Sequence, residues 1–150
     1  MIEKKEMLDD IQEKLESLRE KKEIHVDPVD LEQSKRVAEF IAEYLYEKKG
    51  EDIVIMDIHG LSSIADYFVI VSAQSPLHVK ALTNDLDGVM RDNSLKARHI
   101  EGLKGLQWVL IDYSYVVVHI FLPQSREYYG LESYWADAKV IRYPEDYIEE

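Results

Sequence analysis

Trp108-Val109-Leu110-Ile111-Asp112-Tyr113-Ser114-Tyr115-Val116-Val117-Val118-His119-Ile120-Phe121-Leu122 decides the fold. Trp108–Tyr113 and Val116–Leu122 are apolar runs of strand length, rich in β-branched and aromatic residues. Ser114 and Tyr115 alone separate them, so the pair reads as an antiparallel hairpin. On the second strand His119 shares a face with Val117 and Phe121, opposite Val116, Val118 and Ile120. A lone histidine there reads as a hydrogen-bonded core or interface residue rather than a metal ligand. Trp108 and Asp112 fall on one side of the first strand, each two steps from Leu110.

Working upstream, Ala97–Glu101 reads as a short strand. Ser75 and Pro76 supply a cap and a proline at the first helical position. The helix they open buries Val79, Leu82, Leu86 and Val89 or Met90 and ends near Asn93, with Gly88 weakening its last turn. Asp66–Ala73 and Asp52–Ile58 are two more strands around a turn at 60–65. Before them, Asp30 with Gln33 forms a variant capping box. Val37, Phe40, Ile41, Tyr44 and Leu45 make one apolar face, closed by Lys48, Lys49 and Gly50. Downstream, Ser125 is placed to cap a last helix carrying Tyr128, Leu131 and Trp135, and beyond Ala138 the chain is acidic with little pattern. The order α, β, β, α, β, β, β, α predicts an α/β (α+β) domain at 30–138, with a mixed five-stranded sheet and packed helices.

At the N-terminus Leu8, Ile11, Leu15 and Leu18 form a stripe of about two heptads. That is marginal for an isolated helix, so the expectation is a helix that folds back on the main domain or frays. The alternative is a short dimerising or partner-binding helix. Residues 1–29 are thus an amphipathic helix and linker, and 139–150 an acidic tail.

Composition narrows the function. Of 150 residues 46% are apolar, enough for a core, while 18 basic against 30 acidic side chains give a net charge of −12. Nucleic-acid binders usually carry the opposite sign, so little direct nucleic-acid binding is expected. The apolar stretches are far short of a membrane span, and the charged start is no signal peptide, which predicts a cytoplasmic protein. There is no cysteine, hence no disulfide, thiolate metal site or cysteine nucleophile.

Catalytic signals are missing. His25, His59, His78, His99 and His119 include no i, i+4 pair, and no metal is expected. No phosphate-binding glycine loop, dinucleotide fingerprint or nucleophile elbow occurs, and no cofactor is expected. Ser62 and Ser63 have only His59 as a nearby base, and turn chemistry explains them better. Asp57, Asp66 and Asp112 form no Asp-x-Asp pair of the kind two-metal phosphoryl transfer uses. An enzyme is the weak reading. The aromatic residues, 10 Tyr and 2 Trp among them, cluster between Trp108 and Trp135, and suit an interface or an ordinary aromatic core alike.

Asp57-Ile58-His59-Gly60-Leu61-Ser62-Ser63-Ile64-Ala65-Asp66-Tyr67-Phe68-Val69-Ile70 resembles the opening motif of the ribosomal silencing factor S family, also called Iojap-like. Glu101-Gly102, the Trp108–Tyr113 and Val116–Phe121 strands, Arg126-Glu127-Tyr128-Tyr129-Gly130-Leu131-Glu132 and Trp135-Ala136-Asp137-Ala138 follow in the family's order. The resemblance covers about 35–138. It implies a nucleotidyltransferase-like topology without catalytic acids. It also implies a partner: ribosomal protein L-fourteen on the large ribosomal subunit, where docking blocks the small subunit and represses translation under nutrient limitation. Organellar relatives assist large-subunit assembly, and family members are often homodimers when free. The motif positions carry over, as candidate partner-binding residues, to Asp66, Trp108, Asp112, His119, Arg126, Tyr128, Tyr129 and Glu132. Trp108 is expected as the anchor, with Asp112 and Glu132 as acids facing basic groups. Ser114-Tyr115 departs from the family's usual glycine-containing turn.

Overall fold

The computed structural model describes residues 9–14, 16 and 31–148. The Asp30 cap and most of the N-terminal stripe lie outside them. Helix α1 covers 9–14. It is followed by α2 (Leu31–Glu47), β1 (Glu51–Asp57), β2 (Tyr67–Ser72), α3 (Pro76–Asp92), β3 (His99–Glu101), β4 (Trp108–Asp112) and β5 (Val116–Phe121). Helices α4 (Pro123–Tyr129) and α5 (Leu131–Tyr134), strand β6 (Lys139–Tyr143) and a 3-10 turn (Glu145–Tyr147) complete the chain.

The strands form one mixed sheet of order β3-β4-β5-β2-β1-β6. All pairings are antiparallel except β2 with β5, which run parallel with Phe68 beside Val117 and Ile70 beside His119. The expected hairpin is present: Tyr113 N–H donates to the Val116 carbonyl at 2.9 Å, and Ser114 takes φ 77 in place of a glycine. The sheet has six strands where the sequence predicts five. The sixth, β6, falls in the stretch read as a tail, and pairs with β1 from Ile53↔Tyr143 to Asp57↔Lys139. It is an edge strand with its residues at least partly exposed, so it lacks the apolar run that marks a buried strand.

Both faces of the sheet are covered, which is why β2, β4 and β5 are buried end to end. One face packs Val69, Val71, Val109, Ile111, Val118 and Ile120 beneath α2 and α3. Helix α2 lies rotated from expectation: Ala38 and Ala42 are buried with Ile41 and Leu45, while Phe40 is exposed. The small alanines let the helix axis approach the sheet. Gly50 serves the same closeness, since a Cβ there would stand 2.6 Å from Val71 Cγ2, whereas the left-handed residue ending the helix is Lys49 at φ 71. Helix α3 forms as expected, with Ser75 Oγ accepting from His78 N–H at 3.1 Å and Gly88 tolerated on an open side.

The second face carries Met56, Phe68, Ile70, Leu110, Val117 and Phe121 under a thinner cover of α4, α5 and residue Ile11 of α1. The single helix expected from Ser125 is two short ones. Pro123 starts the first after Leu122, and Gly130 at φ 58 separates them. Ile11 is 1% exposed, so the N-terminal helix does fold back on the domain within its described part.

Candidate functional site

The candidate residues divide into an aromatic cluster, an ion-pair clamp and two carboxylates placed apart from both. Antiparallel pairing of β4 with β5 sets Trp108 opposite Phe121. The indole stacks on that ring at 4.9 Å and leans on Tyr129 from α4 at 4.8 Å. Its Nε1–H donates to His119 Nδ1 at 3.1 Å. This bond fixes the imidazole as the tautomer protonated at Nε2. His119 is 1% exposed, packs edge-on against Phe68 at 4.6 Å, and its Nε2 has no hydrogen-bond partner among the described residues. Burial, with Lys14 adding a little, lowers its pKa from 6.5 to about 3, so the ring stays neutral. Tyr128 stands edge-on to Tyr129 at 5.0 Å with 39% of its surface exposed.

Arg126 and Glu132 meet each other. The guanidinium donates to both Glu132 oxygens, at 2.8 and 3.2 Å, across the Gly130 break. Its Nη1 also donates to the Asp52 carbonyl at 2.6 Å and to Ser72 Oγ at 2.9 Å. Asp52 lies in a bulge of β1 with φ 49, which turns that carbonyl out of the ladder. Arg126 therefore ties α4 and α5 to the ends of β1 and β2.

Asp66 and Asp112 lie elsewhere. Asp66 accepts from Ser34 Oγ at 2.9 Å and meets His59 Nδ1 at 3.3 Å, linking α2 to the loop before β2. Asp112 shares the sheet face of Trp108 but at the other end of β4, about 13 Å along the strand. It is fully buried, and its Oδ1 accepts from Ser114 N–H at 2.7 Å in the hairpin turn.

Above the Trp108 ring is a cleft of about 520 Å³ whose floor is Trp108 and Tyr129. Asp10, Glu13 and Glu16 line it from the N-terminal segment, and Glu101 from β3. Lys14 reaches into it with Nζ 4.7 Å from the indole centroid. Burial lowers the lysine's pKa, and the carboxylates of Glu101, Asp10 and Glu13 oppose that shift. The same burial raises the Tyr129 hydroxyl's pKa. Lys14 and Glu101 were not among the sequence candidates. Glu101 was findable, since pairing the short third strand with Trp108–Asp112 brings it beside Leu110. Lys14 was not, because it is one of many charged residues on the polar faces of its helix.

Among the described residues no group of three or more histidines and carboxylates could hold a metal ion, and no helix is long and apolar enough to cross a membrane.

The family model described as ribosomal silencing factor during starvation matches residues 31–150, through β6. A Bacillus subtilis protein named ribosomal silencing factor RsfS is 38% identical over 92 residues, 61% of this chain and 78% of that protein. The mouse mitochondrial assembly of ribosomal large subunit protein 1 is 30% identical over 135 residues, 81% of this chain and 58% of its own length. A Chromobacterium violaceum crystal structure, 30% identical, superposes with a TM-score of 0.64 over 72% of this chain and 88% of its own. The hairpin, the aromatic cluster and the helix pair behind it thus sit on the fold of these relatives, and the chain belongs to the ribosomal silencing factor family.

Proposed function

We propose that this chain acts in the cytoplasm by occupying a surface of the large ribosomal subunit, through ribosomal protein L-fourteen, and so keeps the small subunit from joining. The aromatic floor of Trp108 and Tyr129, rimmed by carboxylates on a chain of net charge −12, carries the reading. Aromatic anchors ringed by acids suit a basic protein patch, with opposite charge raising the on-rate and fixing register. Phosphate would be repelled, so the partner is ribosomal protein rather than RNA. No catalytic group is required, because occupancy is the mechanism. In this reading Trp108, Tyr129 and Tyr128 make contact with Glu101 beside them, and Glu132 joins Arg126 in the separate clamp. His119 orients the indole, and Asp66, Asp112 and Arg126 hold the surrounding backbone.

Sucrose-gradient sedimentation with isolated subunits tests it, comparing wild type with Trp108→Ala and Tyr128→Ala. Wild type is expected on the large subunit alone, with fewer joined ribosomes, and both variants are expected to lose that effect. Failure to bind either subunit, or binding without an effect on joining, would overturn the reading. The mouse relative's name favours a second reading, large-subunit assembly from the same surface. It predicts association with immature large particles in cell extracts and no effect of added protein on the joining of mature subunits.

A further inference from the structure

Trp108, the expected anchor, is only 5% exposed, and the chain's own N-terminal segment contributes to its cover. Among the described residues three contacts hold that segment down. Ile11 is buried in the cluster that contains Trp108 and Phe121. Tyr134 Oη donates to Gln12 Oε1 at 3.3 Å. Lys14 Nζ lies 4.7 Å above the indole ring, in cation–π range.

We propose that residues 9–14 are an intramolecular competitor for the docking surface. Lys14 stands over Trp108 where a lysine or arginine side chain of a basic protein partner would stand, and Ile11 fills the apolar ground beside it. This rests on the docking reading above and adds its regulation: the partner displaces the segment.

Charge and packing both favour displacement. Seating α1 brings Asp10, Glu13 and Glu16 to a cleft that already holds Glu101, so the segment's acids crowd a fourth carboxylate while Lys14 is the cation among the cleft's lining residues. A basic partner meets Glu101 and the two aromatic faces without that crowding. Among the described residues the segment is held by one buried apolar side chain, one side-chain hydrogen bond and one cation–π contact. Such a lock belongs to the low-stability end of a native structure, where local opening is frequent. An anchor available only while the segment is open binds more weakly by the open fraction, so unseating the segment should tighten binding in proportion.

Two full-length variants test this. Ile11→Asp places a charge in the apolar contact, and Lys14→Glu replaces the cation over the ring with a fifth carboxylate beside Asp10, Glu13, Glu16 and Glu101. The second alters a half-buried position of the cleft and keeps the test open if the first fails to fold. In a Trp135→Phe background Trp108 is the sole tryptophan, and acrylamide quenching of its fluorescence reads the cover directly. Binding to isolated large subunits is measured on the same proteins. The expected result is more quenching and binding about fivefold tighter or more. Unchanged quenching would show that α1 does not cover the ring and would overturn the inference. Increased quenching with unchanged binding would overturn it while leaving the docking reading intact. Increased quenching with weakened binding would also overturn it, by making α1 part of the interface. Absence of binding by wild type and variants alike would remove the docking reading, and the inference with it.

Discussion

Acidification should destabilise this protein through one buried ring. His119 accepts the Trp108 indole proton at Nδ1 while neutral, and protonation would turn that acceptor into a donor and place a charge where only 1% of the residue meets solvent. Its pKa is about 3 in the folded chain, against about 6.5 for an unfolded histidine. Between these values the unfolded chain binds the proton and the folded chain does not. The stabilisation from keeping the ring neutral is therefore fully present above pH 6.5 and is lost as pH falls toward 3. One pH unit is worth about 1.4 kcal/mol, so the fall from pH 6.5 to 4.5 should remove about 3 kcal/mol attributable to this residue. Carboxylates titrate in the same range, so the measurement is a difference. Urea unfolding free energies are taken at pH 7.5, 5.5 and 4.5 for wild type and for His119→Gln, whose amide oxygen can still accept from the indole without titrating. The advantage of wild type should shrink by about 3 kcal/mol across the series. A gap that stays constant with pH would refute the neutral buried imidazole and the tautomer assigned to it.

Arg126→Lys removes the fork that spans Glu132, Asp52 and Ser72, and should cost about 2 kcal/mol in urea unfolding, with proteolysis appearing first near Gly130. Gly102→Ala should cost more than about 2 kcal/mol, because φ there is 97 and a Cβ would run into the Trp108 carbonyl; thermal denaturation reads it. Asp112→Ala deprives Ser114 N–H of its acceptor and should lose about 2 kcal/mol, whereas Asp112→Asn keeps the bond and should lose less than half of that. Equal losses in the last pair would mean that the hydrogen bond does not hold the turn.

Much of this fold can be read from the chain because burial leaves a residue-by-residue trace. Strands β2, β4 and β5 are covered on both faces and so are apolar except at Ser72, Asp112 and His119, and His119 falls on the face its alternation assigns. Edges leave no such trace. Strand β6 carries Lys139 and Arg142 at exposed positions and pairs along one edge with β1, while only Ile141 and Tyr143 of its side chains pack against the core. Hydrophobicity alone places Phe40 on the inner face of α2, whereas packing against a sheet selects small residues and buries Ala38 and Ala42. At the site, adjacency in sequence marks Tyr128 and Tyr129, but the approach of Lys14 to Trp108 joins distant segments and has no local signature.

The pairing of β6 with β1 bears on how the protein is made. Synthesis delivers β1 well before its outer neighbour, so a nascent chain carries an unpaired row of amides and carbonyls along Ile53–Asp57 until Tyr143 has emerged. An open edge of that kind invites pairing with another growing chain on the same message. A translational pause before Tyr143 has emerged would prolong that exposure, and one after its emergence would not.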